Sequence, residues 1–395
     1  MPPRPTASDP TGARREPGRP VAARRLPLRE LARAALHTHE DMSAAPLTRL
    51  PALLSDLGVD PGDVLARVGI DPAQLVEPGS RVAFDHVGQL LVACVEATGC
   101  PHFGLLLGQH AGVSAPGVPA ALIEHAESVG NALRAMVLHL HVHDRGAVLS
   151  LTPVDCGQVQ LSYVIFHPGT PGAVQITDGA LAIMGAVLRQ LCGPQWRPTE
   201  VLLPRSRPAQ VAPYRACFQA SLRFNSPFAA MVFPASDLSR RLPGAHTEKR
   251  RRVERMIADL ERTRPVTMAE QVVRVLARTV MAGPSSGPQV AAALGISQRR
   301  LHERLAAEGT RYSTLLAEVR CEIARQLLEG TRMPAGEIAT TLHYGSPGAF
   351  SRAFKAWTGV SPRELRAGMG RPGRRPRSPT RRTAPDPTQT PGDRT

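Results

Sequence analysis

The chain has 395 residues, 42% of them hydrophobic, and a formal net charge of +15 from 48 Lys and Arg against 33 Asp and Glu. That is enough apolar sequence for two domains and a small third. The positive excess favours an anionic partner, nucleic acid before a membrane surface. No stretch approaches the roughly 20 apolar residues of a membrane-spanning helix. Six scattered cysteines without a C-x-x-C pair exclude a zinc module and read as free thiols in a reducing cytoplasm. Lys249 and Lys355 are the only lysines, so the charge is nearly all Arg. Coding bias explains an Ala-, Pro-, Gly- and Arg-rich composition equally well, so charge alone decides nothing.

Residues 1–43 lack a sustained apolar period and read as a disordered basic tail. Twin arginines at Arg14-Arg15 and Arg24-Arg25 precede no apolar run, which argues against a secretory signal. Organised sequence begins just after Met42, which marks that residue as a candidate start. From 47 to about 135 the pattern is helical. Asp60 and Asp71 each precede a Pro, the pattern of an N-cap before a helix's first residue. "FDHVGQLLVACVEATG" continues at period 3.6 and stops at Gly99. "SVGNALRAMVLHL" is a further helix. "AVLSLTPV" and "QVQLSYVIF" read as strands broken near Asp155-Cys156-Gly157. A helix over "ITDGALAIMGAVLRQLCG" and strands in "TEVLLP" and "SLRFNSPFAAMVFP" complete a mixed α+β domain over 44–242. Residues 243–265 read as a linker that turns helical from about Lys249, and 266–369 as short helices between Gly and Pro turns. Residues 370–395 read as a second disordered basic tail.

Within the helical region two segments match. "QVAAALGISQRRLHERLAAEG" and "EIATTLHYGSPGAFSRAFKAWTG" each carry a short helix ending at Leu294 or Leu342, a Gly-bearing turn and a capping Ser. Core residues follow four and eight places on: Leu301 and Leu305, then Phe350 and Phe354. Helix, turn and capped second helix is the helix-turn-helix plan. One copy is a weak signal; two, with Ser297 and Ser346 49 residues apart, are a strong one. The helix of about 17 residues between them spans roughly 25 Å. That places the two second helices near one DNA turn, about 34 Å, apart.

On these residues the last hundred positions resemble the DNA-binding domain of AraC/XylS-family transcription regulators. "IATTLHYGSPGAFSRAFKAWTGVSPRELR" is similar to that family's C-terminal signature almost throughout. The upstream "GLLLGQH", "SVGNALRAM" and "YRACFQASLRFNSPFAAMVFPASDL" resemble an arabinose-binding-type effector domain. The resemblance implies a mixed α+β N-terminal domain followed by an all-α domain with two helix-turn-helix units. It also implies double-stranded DNA, an unknown small-molecule effector, a homodimer and RNA polymerase as partners, with no membrane and no cofactor. The family's reading positions fall on Gln298, Arg299, His302 and Glu303, with Arg300 beside them, and on Pro347, Gly348, Ser351 and Arg352, with Lys355 one turn on. Arg suits guanine, Gln adenine, and Glu accepts from cytosine N4. The family often carries Arg where Glu303 stands, so Glu303 either reads cytosine or pairs with Arg299 or Arg300; the pair is favoured. Pro347 and Gly348 offer no side-chain donors, so the first unit is expected to supply most discrimination. Phe350, Phe354 and Trp357 then belong to the core, and Arg352 points away from it.

Other features have blander readings. "HLHVHD", 139–144, would align three imidazoles on a strand as metal ligands, but a helix runs into it, which favours imidazoles at a helix end. "GPSSG", 283–287, matches G-x-S-x-G, but a helical period and not a strand precedes it. Arg250, Arg251 and Arg252 read as ion-paired before phosphate-binding. Trp196, Tyr163 and Tyr214 could line an effector pocket, yet each reads first as core. The reading is therefore a non-enzymatic, effector-responsive DNA-binding regulator. The alternative is an effector-independent repressor or architectural protein whose first domain only dimerises.

Overall fold

The alternating apolar residues of 147–165 close into a hairpin, β3 (Ala147–Val154) against β4 (Gln158–Ile165). Its turn takes left-handed backbone at Cys156 (φ 63°) and Gly157 (φ 69°). β5 (Glu200–Leu203), β6 (Ser221–Phe224) and β7 (Ala229–Pro234) join it in one sheet of order β3-β4-β7-β5-β6, antiparallel except for β5 and β6. The computed structural model describes residues 41–77, 79–112, 118–283 and 285–369.

Helices cover the inner face of this sheet. α1 (Leu50–Asp56), α2 (Pro61–Val68) and α3 (Ala73–Val76) come first, and the Asp60 and Asp71 carboxylates accept from Gly62 N and Ala73 N at 2.7 and 2.9 Å. α4 (Phe84–Thr98), α5 (Phe103–Ala111), α6 (Val118–Glu124), α7 (Val129–His143), α8 (Ala173–Cys192) and α9 (Ala212–Phe218) follow. α5 lies directly on α8, where a Cβ on Gly104 or Gly108 would sit 2.1 or 2.3 Å from a carbonyl oxygen of α8. Only glycine allows that approach.

The sequence expectations need three corrections in this half. Asp41–Ser43, assigned to the basic tail, forms β1, antiparallel to β2 (Arg81–Ala83). Ordered chain thus begins before Met42, which is itself buried opposite Val82. Asp41 accepts from Arg81 Nε at 2.8 Å and Arg264 Nη2 at 2.7 Å. The third concerns the segment 243–265, assigned as a linker that turns helical from about Lys249; the helix is there, but it is packed and not a linker. Most of it is α10 (Thr247–Thr263), which packs on α6 and α7 and buries Ile257. Residues 1–40 and 370–395 lie outside the described residues.

The helical half comprises α11 (Met268–Thr279), α12 (Gly287–Ala293), α13 (Gln298–Ala307), α14 (Tyr312–Gly330), α15 (Ala335–Thr341), α16 (Pro347–Thr358) and α17 (Pro362–Met369). Thr267 and Glu270 cap α11 reciprocally, and the Glu308 carboxylate accepts from Met268 N and Ala269 N, both at 2.8 Å. Among the described residues no single helix is long and apolar enough to cross a membrane.

The outer face of the β3–β4 hairpin is covered by this helical half. Val148, Val164 and Phe166 share a core with Val272, Leu276, Ile323 and Leu327, while their neighbours Leu149, Tyr163 and Ile165 face the inner core. Polar contacts hold the seam. The buried Glu322 carboxylate accepts from Gly169 N at 2.8 Å and from Arg325 at 2.6 Å. Gln326 donates to Ile165 O at 3.2 Å, and Ser206 N donates to Gly330 O at 2.6 Å.

Candidate nucleic-acid interface and effector cavity

Each of the two matched segments folds as helix, turn and capped helix. In the first, α12 ends at Leu294, Gly295 turns the chain with φ 67°, and Ser297 Oγ accepts from Arg300 N at 3.2 Å to start α13. In the second, α15 ends at Leu342 and Ser346 Oγ accepts from Ala349 N at 3.1 Å to start α16. Here the left-handed position falls on His343 (φ 55°) and not on the turn glycine, Gly345. The second turn is one residue longer, which moves the glycine away from the place equivalent to Gly295.

Burial sorts the second helices into two faces. Leu301, Leu305, Phe350 and Phe354 are at most 2% exposed. Tyr344 and Phe350 pack with ring centroids 5.4 Å apart, and Phe350 and Phe354 at 5.8 Å. Trp357, expected in the core, is only half-buried, because it falls at the last turn of α16 where few partners remain. Gln298, Arg299, Arg300, His302 and Glu303 are exposed together on α13; Pro347, Gly348, Arg352 and Lys355 are exposed on α16, with Ser351 partly covered. Arg299 Nε donates to Glu303 Oε1 at 2.8 Å, with side chains 88% and 59% exposed. The predicted pair therefore exists, and it is open to solvent. α14, 19 residues long, separates the two units by about 28 Å of helix at 1.5 Å per residue.

The histidine run is the end of a helix, as the periodicity implies: α7 reaches His143. His139 and His141 both approach Glu261 of α10, at 3.3 and 2.9 Å. Burial, with Arg274 nearby, pulls His141 down to about 4. Among the described residues no group of three or more ligating side chains is placed to hold a metal. Before Gly283 the chain is helix α11, so the local frame of a nucleophile elbow is missing at Ser285, whose Oγ lies 2.9 Å from Thr279 Oγ1. Arg250 pairs with Glu254 at 2.8 Å, while Arg251 and Arg252 are exposed.

A cavity of about 100 Å³ lies behind β4, between α5, α7 and α8. Its wall is mainly aliphatic, with Leu91, Leu107, Ile176 and Ile183 among the lining residues. Tyr163 also lines it and donates its hydroxyl to Asp144 Oδ2 at 2.7 Å. Trp196 and Tyr214 are packing residues: Trp196 donates to Asp237 at 2.9 Å, and Tyr214 donates to the buried Asp178 at 2.6 Å. The sequence gives Tyr163 no mark that separates it from those two. His143 and Asp144 are likewise lining residues that the sequence reading placed only at a helix end.

These two structural halves coincide with two family matches. Residues 58–242 match the arabinose-binding domain of AraC transcription regulators, N-terminal, and residues 290–368 match a helix-turn-helix domain. The chain is 27% identical to the HTH-type transcriptional regulator VirS of Mycobacterium tuberculosis, over 82% of this chain and 95% of that protein. It is 27% identical to the ornithine utilization regulator of Pseudomonas aeruginosa, over 83% and 97%. The crystal structure of the transcriptional regulator CdpR from Pseudomonas aeruginosa aligns over 78% of this chain and 96% of that one, at 22% identity and a TM-score of 0.38. With an arabinose-binding-type domain before a helix-turn-helix domain, and relatives aligned over 82% and 83% of this chain, the chain belongs to the AraC family of DNA-binding transcription regulators.

Proposed function

We propose that this regulator reads two successive major grooves of one duplex through α13 and α16, and that a small molecule in the N-terminal domain sets how those helices are presented. In this reading 266–369 is the DNA-reading unit and 41–242 the effector unit. Gln298, Arg299, Arg300 and His302 meet base edges or phosphates in the first groove, beside Glu303, which holds Arg299 in the free protein. Arg352 and Lys355 do so in the second, where Pro347, Gly348 and Ser351 lie close to the backbone with little to donate. The same proposal includes a homodimer and a contact to RNA polymerase. Exposed Leu138 (62%) and Met256 (49%), on helices that pack on each other, support a self-association surface.

The observation that carries the reading is β4. Tyr163 lines the cavity, while Val164 and Phe166 belong to the core of the helical half. A ligand that binds better to one arrangement of this strand shifts the helical half by the same free energy. Operator selection followed by footprinting tests it. Two protected segments about one helical turn apart are expected, with Arg299→Ala weakening protection of one and Arg352→Ala of the other. A single protected segment, unaffected by either change, contradicts the proposal.

A further inference from the structure

Resting on that effector reading, we propose that the cavity behind β4 takes an uncharged, mainly hydrocarbon small molecule carrying one hydroxyl or carbonyl oxygen, bonded to the His143 imidazole. The size points to a compact ligand. The cavity holds about 100 Å³, and an apolar cavity of roughly 150 Å³ is enough to admit benzene. Met42, Met136 and Met184 stand in its wall. Methionine side chains re-pack easily, so the space can grow modestly around a guest.

The polar inventory sets the chemistry. Gln175 is committed at both ends: its Oε1 accepts from Gly104 N at 2.9 Å and its Nε2 donates to Pro101 O at 3.0 Å. Asp144 accepts from Gly146 N at 2.8 Å on one oxygen and from Tyr163 on the other. What remains is His143, which stands between this cavity and a second one lined by Arg81 and His141; its Nδ1 is buried and has no hydrogen-bond partner among the described residues, on a residue 9% exposed. Burial, with Arg81 nearby, lowers His143 to about 4, so at neutral pH the ring is uncharged and can meet either a hydroxyl or a carbonyl according to its tautomer.

Charged and polyhydroxylated guests fit poorly. A carboxylate would need a free cation, but Arg81 is spent on Asp41 (2.8 Å), Val142 O (2.8 Å) and His143 O (3.4 Å). An ammonium group would have to share the Asp144 carboxylate with Gly146 N and the Tyr163 hydroxyl, which already donate to its two oxygens, and would lose its own hydration in a mainly aliphatic wall. A sugar would bury several hydroxyls against one available partner, leaving the rest unmet.

The test uses the full chain, with calorimetry and thermal unfolding against phenol, benzene, L-arabinose and L-ornithine. Phenol is expected to bind saturably and to raise the melting temperature, roughly 2- to 10-fold more tightly than benzene for its one added hydrogen bond. His143→Leu should erase that difference and keep benzene binding. Ala180→Leu, which adds bulk at a lining residue, should abolish both, so the inference does not depend on the His143 variant alone. Binding of arabinose or ornithine in place of phenol overturns it, as does phenol binding that ignores both substitutions. A gel shift on the operator separates the two claims. Phenol binding with no change in operator affinity overturns the effector reading and leaves the ligand class standing. Operator affinity that responds to ornithine alone supports effector control and overturns the ligand class.

Discussion

Replacing Arg299 by Ala should weaken operator binding by about 1–3 kcal/mol, roughly 5- to 150-fold, and relax preference at one or two base pairs. The magnitude follows from the state of the side chain before DNA arrives. Among the described residues Arg299 is tied only to Glu303, one turn on, and both side chains are more than half exposed. An exposed pair of this spacing is worth about 0.3–0.5 kcal/mol. A bidentate Arg–guanine contact is worth about 1–3 kcal/mol, so on the proposed reading a guanine would outcompete the carboxylate and the pair would act as a weak parking position. Glu303→Ala should therefore leave stability within about 0.5 kcal/mol of the parent and increase affinity for sites with guanine opposite Arg299. The assay is fluorescence anisotropy on a panel of operators carrying single base-pair changes, at two salt concentrations. Equal loss for Arg299→Ala across the panel, with the salt slope reduced by about one, would identify a phosphate contact and refute direct readout.

Glu322→Ala should destabilise the chain by about 2–4 kcal/mol, since it strands Gly169 N and part of the Arg325 guanidinium in the seam, whereas Glu329→Ala, at a carboxylate 34% exposed, should cost under about 1 kcal/mol. Urea unfolding of both variants checks this, and equal losses would contradict the assigned burial. Asp41→Ala should cost about 1–3 kcal/mol by freeing Arg81 and Arg264; a neutral result would mean that β1 adds nothing to the fold. Stability should fall as the pH drops from about 6.5 towards 4. His141 and His143 are held near 4 in the folded chain against an ordinary 6.5, so the unfolded chain binds more protons in that window. The slope approaches about 1.4 kcal/mol per pH unit for each imidazole, and His143→Leu should flatten it in urea titrations at pH 7, 6 and 5.

The parts of this molecule that were legible in advance are those whose signal is local. Ser297 and Ser346 cap their helices in sequence order, and Leu301, Leu305, Phe350 and Phe354 repeat at the helical period, so both helix-turn-helix units could be read directly. The Asp60 cap and the β3–β4 hairpin were legible for the same reason. β1 and β2 escaped because three-residue strands show no alternation; they exist through Asp41 and its distant arginines. α10 was legible as a helix from about Lys249 but not as a packed one, because charged residues dominate it and Ile257 is its one buried residue among those described. The cavity was invisible because its wall is assembled from β1, α4, α5, α7, α8 and both hairpin strands, and no stretch of chain carries more than a fragment of it. The turn at His343 shows that a glycine in a turn need not occupy the strained position.

The β3–β4 hairpin has two tenants, one on each side. Val148 and Leu149 are adjacent in sequence yet belong to different cores, as do Tyr163 and Val164. A residue recruited here to change what the cavity accepts sits next in sequence to one packed against the helical half, and under the proposed coupling it would also reset the resting posture of those helices. On the proposed effector reading, efforts to retarget this regulator should therefore select on background output and on response together, because a library scored on response alone will fill with proteins that are permanently on or permanently silent.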